Sequence, residues 1–138
     1  GKRIVLIDDS IVRGTTSLKI VEMMRDAGAT EVHFRVASAP FAHGCYYGVD
    51  VPERSKLLAA RMKLEAMQTF IKADSLAFVS IDGLYRAVGE EKRKSSCPQF
   101  CDACFTGDYP TRLTDVSRRE QDAAQLSFPD TKPVDEPV

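Results

Sequence analysis

The chain has 138 residues, of which 43% are hydrophobic and 28% are charged, a balance that fits about one domain with a buried core. Its formal net charge of −1 argues against nucleic-acid or membrane binding driven by bulk electrostatics. No apolar run approaches the roughly 20 residues that cross a bilayer, and no signal-peptide pattern is present, so we expect a cytoplasmic protein. Because a parallel strand begins almost at once and needs neighbours, we expect a piece of a larger protein.

The first predicted element is a strand followed by a polar turn. Its apolar run Ile4–Ile7 is typical of an inner strand of a parallel sheet, buried on both faces. Asp8 and Asp9 follow at the carboxyl end, where open α/β sheets bind ligands. Gly14-Thr15-Thr16 then opens a helix whose free amides and hydroxyls can bind an anion. Carboxylates beside an anion site suit a sugar phosphate, with its diol bound by the acids and its phosphate by the amides.

The following pattern predicts an α/β fold with a parallel sheet and flanking helices. After the turn, an apolar stripe indicates a helix that ends at Gly28. The later elements predicted in chain order are a strand at 31–37, an irregular loop at 41–52, a helix at 53–72 interrupted near Met62-Lys63, a strand at 76–81 and a short helix at 83–88.

The chain changes character after about residue 90. The basic run Lys92-Arg93-Lys94 follows two glutamates, and we interpret it as a solvated linker. From about Thr114 the periodicity is lost and Pro, Asp, Ser and Gln accumulate, which predicts disorder over 125–138.

Four cysteines occur without an export signal, and a reducing compartment disfavours disulfides. Cys101 and Cys104 have the two-residue gap at which two thiolates reach one metal centre. Taken alone, the pair is compatible with zinc, with an iron–sulfur cluster or with a redox dithiol. A thioredoxin-like role is disfavoured because the pair does not open a helix that follows a strand. Cys45 lies in a Gly-rich loop that can bend toward this pair.

The run Asp8–Thr16 resembles the 5-phosphoribosyl-1-pyrophosphate (PRPP) signature of type I phosphoribosyltransferases. Within it, the sequence Ser-Ile-Val-Arg-Gly-Thr-Thr is similar to the corresponding segment of the glutamine PRPP amidotransferase family. The resemblance implies that Asp8 and Asp9 hold the ribose hydroxyls and Mg²⁺, while the loop wraps the 5′-phosphate. The implied PRPP-binding residues are Asp8, Asp9, Ser10, Ile11, Val12, Arg13, Gly14, Thr15 and Thr16.

The cysteine contexts, Cys45–Gly48 and Cys101–Pro110, are similar to those in the iron–sulfur branch of the same family. The resemblance implies that Cys45, Cys101 and Cys104 ligate a 4Fe-4S cluster whose fourth ligand lies outside this chain. Cys97 is then a spare. Free thiols in a metal-free branch and a zinc site are the alternatives.

The resemblance thus implies a partial type I phosphoribosyltransferase fold with a cysteine-bearing C-terminal extension. Residues 1–90 would be the C-terminal half of the phosphoribosyltransferase domain, 91–113 the cysteine extension, and 114–138 a polar, disordered tail. The implied amidophosphoribosyltransferase is a pentosyltransferase that opens purine biosynthesis by transferring glutamine-derived ammonia to PRPP. This reaction gives 5-phosphoribosylamine and pyrophosphate.

Several partners are implied with this activity: PRPP, the remainder of the enzyme with its glutaminase domain, and further copies in a homo-oligomer. We assign no catalytic residue within the chain, which alone should be incomplete for activity. The alternatives are a nucleobase phosphoribosyltransferase, for which the cysteines would have no purpose, and a PRPP-sensing regulatory module.

Overall fold

The computed structural model describes residues 1–111, and Gly1–Asp108 form one compact unit. The tail predicted at 114–138 lies outside the described residues. No helix within 1–111 has both the length and the apolar character that a bilayer crossing needs. The elements in chain order are β1 (Lys2–Asp8), α1 (Thr15–Asp26), β2 (Ala29–Val36), a 3₁₀ turn (Arg54–Lys56), α2 (Leu58–Arg61), α3 (Leu64–Phe70), β3 (Ser75–Phe78), α4 (Ile81–Ala87) and α5 (Ala103–Thr106).

Within these residues the strands form a three-stranded parallel sheet in the order β1-β2-β3. Asp8 is paired with Val36, and Val36 is paired with Phe78, so the carboxyl ends of all three strands meet at one edge. The predicted α/β fold with a parallel sheet is therefore confirmed. Every loop that leaves this edge is a candidate for ligand binding.

The core lies between one face of the sheet and the helices packed on it. Val21 of α1, Met67 and Ile71 of α3, and Val32 and Phe34 of β2 are each at most 2% exposed and belong to one apolar cluster. Alternate residues of a strand point to opposite faces, so the helices bury only every second side chain.

The prediction that β1 is buried on both faces is wrong for the described residues. Val5 is 63% exposed and Ile7 is 75% exposed, whereas Ile4 and Leu6 pack against the core. The reason is that the helices of the apolar cluster pack on the face of Ile4 and Leu6 only.

Two sequence signals for helix boundaries are confirmed. Gly28 follows α1 with a φ of +93°, the left-handed conformation that ends many helices. The helix predicted at 53–72 is interrupted where expected, because Met62 and Lys63 are both extended and separate α2 from α3.

Candidate functional site

An open groove lies at the carboxyl end of β1, between the strand and the start of α1. Nearly all of the predicted PRPP-binding residues line it: Asp8, Asp9, Ser10, Val12, Arg13, Gly14, Thr15 and Thr16, together with Ser17. The structure therefore brings the predicted acids and the predicted anion-binding turn to one site. Ile11 is the exception, being 1% exposed within the core.

The two acids are held in place by short-range hydrogen bonds. The Asp9 N–H donates to Asp8 Oδ1 at 3.0 Å, and the Ser10 hydroxyl donates to Asp9 Oδ1 at 3.2 Å. Both carboxylates line the groove, and Asp9 is exposed. This arrangement places negative charge where a diol or a hydrated cation can reach it.

The loop between the acids and α1 is anchored to the core and to α2. The buried side chain of Ile11 ties its start to the core, and the Val12 carbonyl accepts a hydrogen bond of 2.8 Å from the Leu58 N–H. α2 therefore supports the loop that turns around the groove. A supported loop keeps its amides in place before any ligand arrives, which lowers the ordering cost of binding.

Gly14 is the N-cap of α1 and has a φ of +79°, a conformation that other residues adopt at a cost. A Cβ atom built on it would lie 2.6 Å from Leu58 Cδ2 and 3.0 Å from Phe70 Cε1. The missing side chain therefore allows α1 to approach α2 and α3 closely. This packing role of Gly14 is separate from the anion binding that the sequence predicts for Gly14-Thr15-Thr16.

The start of α1 has the features of an anion site. No side chain within the described part of the chain caps it, since its N-cap residue is Gly14. The first-turn N–H groups of a helix have no intrahelical partner and carry partial positive charge. Thr15 and Thr16 are exposed beside these amides and line the groove.

Sequence reasoning missed Ser38, which lies just after β2 beside the acid-bearing strand. The Ala37 N–H donates to the Asp8 carbonyl at 2.8 Å, so Ser38 stands one residue beyond that link. Its hydroxyl oxygen is buried and lacks a hydrogen-bond partner within residues 1–111. The available signal was its position directly after a strand whose neighbour ends in two acids.

A second candidate site forms where the loop of Cys45 meets α5. The N–H groups of Ala42 and His43 donate to the Cys104 carbonyl at 3.2 and 3.0 Å. Phe41 and Phe105 stack edge to face, with ring centroids 5.6 Å apart. These contacts bring two segments that are distant in sequence, each carrying a predicted cysteine ligand, against each other.

Two of the predicted cluster ligands, Cys45 and Cys101, lie within electrostatic range of the third, Cys104. Burial, and then the charges of Cys101, Cys45 and Asp102, raise the pKa of the Cys104 thiol. Cys97 is exposed and is not among the groups that act on Cys104. No set of three or more His, Cys, Asp or Glu side chains within 1–111 is arranged to hold a metal ion.

His43 packs against the end of α5. Its ring fills the space next to Gly107, where a Cβ atom would lie 2.8 Å from His43 Cε1. Burial, and secondarily the positive charge of Arg54, lower the pKa of His43. The structure therefore gives this loop histidine a packing role between its own loop and the end of α5.

The interpretation of Lys92-Arg93-Lys94 as a solvated linker is wrong for Arg93. The Arg93 side chain is only 14% exposed, because it forms ion pairs with Asp102 at 2.5 Å and with Asp108 at 2.6 Å. Hydrogen bonds to these two carboxylates raise the pKa of Arg93. Burial alone would raise the pKa of Asp102, but the hydrogen bonds from Arg93 and Tyr85 hold it below its usual value.

Comparisons with known proteins give one consistent result, although no protein-family model matches the chain. An amidophosphoribosyltransferase of Rhizobium etli is 64% identical over 116 residues, which are 83% of this chain and 23% of that protein. The chloroplastic amidophosphoribosyltransferase 1 of Arabidopsis thaliana is 53% identical over 84% of this chain and 20% of its own length. These relatives do not favour a nucleobase phosphoribosyltransferase or a PRPP sensor.

The fold gives the same answer. The solved structure of glutamine PRPP amidotransferase from Bacillus subtilis, complexed with ADP and GMP, superposes with a TM-score of 0.73 at 50% identity. The match covers 82% of this chain and 25% of that one. The chain thus spans between a fifth and a quarter of the length of these proteins. It belongs to the amidophosphoribosyltransferase family, as a segment that matches the C-terminal part of the phosphoribosyltransferase domain.

Proposed function

We propose that this chain is the PRPP-binding segment of an enzyme that makes 5-phosphoribosylamine from PRPP and glutamine-derived ammonia, the first step of purine biosynthesis. The observation that carries the proposal is the groove in which Asp8 and Asp9 face the start of α1. The family of the matched relatives supports the choice of PRPP among sugar phosphates. Glutamine hydrolysis would take place in a separate glutaminase domain, and assembly as a cytoplasmic homo-oligomer stays a prediction.

In this proposal the acid pair holds the ribose. Asp8 and Asp9 are the carboxylates at the end of β1, and carboxylate oxygens accept hydrogen bonds from a vicinal diol or ligate Mg²⁺. The donor set therefore fits a magnesium ion that keeps several of its waters. Bound there, Mg²⁺ would supply positive charge that screens the pyrophosphate of PRPP.

The start of α1 would bind the 5′-phosphate. The amides of the first turn and the hydroxyls of Thr15 and Thr16 are donors, and the helix dipole favours an anion at this end. Arg13 is exposed on the same groove and adds a positive charge near the phosphates. Phosphate and ribose held at two points would fix the position of C1.

The contribution of these residues to the reaction is positioning and charge stabilisation. Ammonia attacks C1 of PRPP while the bond from C1 to the pyrophosphate oxygen breaks, so that C1 becomes oxocarbenium-like between them. Asp8 and Asp9 keep the ribose oriented for in-line attack, and their negative charges stabilise the developing positive charge. Pyrophosphate leaves with the electron pair of the broken bond, and the ammonium group formed at C1 releases a proton to give 5-phosphoribosylamine.

Calorimetry of PRPP binding to the full-length protein tests this assignment. The double variant Asp8→Asn/Asp9→Asn should bind PRPP at least about tenfold more weakly, because charge-assisted hydrogen bonds are lost. Asp26→Asn, at an exposed carboxylate at the end of α1, is the matched control and should bind normally. An unchanged affinity in the double variant would remove the acid pair from the site.

We also propose that Cys45, Cys101 and Cys104 hold three corners of a 4Fe-4S cluster in the complete protein. The supporting observation is that the Ala42 and His43 N–H groups donate to the Cys104 carbonyl, which brings the loop of Cys45 against the segment that carries Cys101 and Cys104. Such a cluster takes four thiolates, so these three residues fit it with one ligand from another segment. When bound, the cluster would link chain segments and contribute folding energy. Ammonia transfer involves no electron transfer, so the thiolates would serve structure.

Cys97 provides the matched control for this proposal. In anaerobically purified full-length protein, Cys45→Ser should abolish the brown colour and the bound iron, whereas Cys97→Ser should keep both. Colourless wild-type protein that contains zinc, or no thiolate-bound metal, would refute the cluster while leaving the PRPP groove untouched.

A further inference from the structure

Arg93 bridges two carboxylates from the segment that carries the cysteine pair. Its Nε donates to Asp102 Oδ2 at 2.5 Å, and one terminal nitrogen donates to Asp102 Oδ1 at 3.2 Å and to Asp108 Oδ2 at 2.6 Å. The Arg93 backbone N–H donates to Asp82 Oδ1 at 3.1 Å, which ties the backbone of this residue to α4. The planar guanidinium fork matches a carboxylate at two points and so fixes orientation as well as distance.

Asp102 is the residue between the two cysteines of Cys101-Asp102-Ala103-Cys104, and it is 6% exposed. Besides Arg93, its carboxylate accepts the Tyr85 hydroxyl of α4 at 2.9 Å and the Thr106 hydroxyl at 3.2 Å. Its backbone carbonyl accepts the N–H groups of Phe105 and Thr106 at 2.9 and 3.0 Å. Asp102 therefore anchors α5 to α4 and to Arg93. Cys101 directly precedes it, and Cys104 follows two residues later.

The cysteine pair is also bound through the backbone of Cys104. The Cys104 carbonyl accepts the N–H groups of Ala42 and His43, from the loop that carries Cys45. The cysteine pair is thus fixed between two contacts, one made by the backbone and one made by a buried ion pair. A buried ion pair is weak evidence for net stability, since well-packed apolar residues often stabilise as much. Its geometric specificity is the property that an apolar pair would not supply.

We propose that Arg93 is a positioning residue that, through Asp102, holds the segment of Cys101 and Cys104 against the loop of Cys45 before any metal binds. This inference rests on the proposed cysteine site, and it identifies the residues that position the cysteines of that site. The hydrogen bonds of Arg93 go to Asp82, Asp102 and Asp108. Residues that orient metal ligands from behind typically change metal affinity 10- to 100-fold when they are replaced.

The test uses the full-length protein, prepared metal-free and without oxygen, with Cd²⁺ as the probe of thiolate geometry. Arg93→Met should lower Cd²⁺ affinity at least about tenfold, measured by thiolate-to-metal charge-transfer absorbance. Arg93→Lys keeps the charge but lacks the fork, so it should restore only part of the loss. Arg86→Met, at an exposed arginine of α4, is the matched control and should bind Cd²⁺ as the wild type does.

A second variant separates positioning from stability. Arg93→Met leaves Asp102 buried without its charged partner and should also unfold more easily. The double variant Arg93→Met/Asp102→Asn removes that buried charge and should recover melting temperature while Cd²⁺ affinity stays low. If affinity returns together with melting temperature, or if Arg93→Met binds Cd²⁺ like the wild type, the inference is wrong.

Alkylation of Cys104 in the metal-free protein gives a readout that needs no metal. Iodoacetamide should modify Cys104 several-fold faster in Arg93→Met than in the wild type, because the half-buried thiol is no longer held in place. If the wild type binds no Cd²⁺ but this difference is present, the proposed metal site fails and the positioning role stands. Equal alkylation rates in the two proteins would refute the positioning role itself.

Discussion

The groove at the carboxyl edge of the sheet and the cysteine site at α5 differ in what holds their functional groups. In the groove, backbone geometry positions the residues: a parallel register, a left-handed Gly14 and a loop tied to α2 by the Leu58 N–H. At the cysteine site, side-chain charges and two docked loop segments do so, through Arg93 and Asp102. The first site therefore depends on the core of the sheet, and the second on contacts that can be lost locally. The two should respond separately to substitution.

Gly14→Val should have the largest effect, and it should fall on the groove. The positive φ and the contact of 2.6 Å with Leu58 Cδ2 together predict a loss of roughly 2–5 kcal/mol in the free energy of unfolding. PRPP affinity should fall as well, since the start of α1 must move. Urea unfolding and calorimetry measure the two effects.

Gly44→Val is the matched control, because a Cβ atom on Gly44 meets nothing within 4 Å and its φ is not positive. The control should change the free energy of unfolding by less than about 1 kcal/mol. If both valine variants lose the same stability, the packing reason given for Gly14 is wrong.

Tyr85→Phe should have a smaller effect, confined to the cysteine site. It removes a hydroxyl that donates to the buried Asp102 carboxylate at 2.9 Å, which predicts a loss of about 1–2 kcal/mol in urea unfolding. Cys104 should be alkylated faster, while PRPP affinity should stay at the wild-type value. A loss of PRPP affinity that accompanies the faster alkylation of Cys104 would mean that the two sites are not separate.

The smallest effect expected is a pH dependence at the opposite, amino end of the sheet. The Val32 N–H, and then the Arg25 side chain, hold the pKa of Asp74 below its ordinary value of 3.8. A carboxylate with a lowered folded-state pKa stabilises the fold above its unfolded-state pKa and loses this contribution as the pH falls through the folded-state pKa. In Asp74→Asn, the free energy of unfolding should therefore fall less steeply than in the wild type as the pH drops below about 4.

Asp26→Asn should leave that pH dependence unchanged and so serves as the control for Asp74. An identical pH dependence in Asp74→Asn and the wild type would contradict the role given to the Val32 contact. PRPP binding at neutral pH should be the same in both variants, because neither carboxylate lines the groove.

The groove could be predicted from the sequence because its signals are local. An apolar run, two acids and Gly-Thr-Thr stand within one short stretch, and a parallel strand has a defined carboxyl end. The exposure of Val5 and Ile7 was not predicted, since an apolar run does not reveal how many faces are covered. The network of Arg93 was missed because a charged run in a loop has no periodicity, and its partners depend on tertiary docking.

The structure of the full-length protein with ribose 5-phosphate tests the central claim most directly, namely that this groove binds a phosphorylated ribose. The phosphate should lie within hydrogen-bonding distance, about 3 Å, of the amides of Thr15 and Thr16, with the ribose hydroxyls on the side of Asp8 and Asp9. A phosphate bound more than about 4 Å from these amides, or ribose hydroxyls turned away from both acids, would contradict the account.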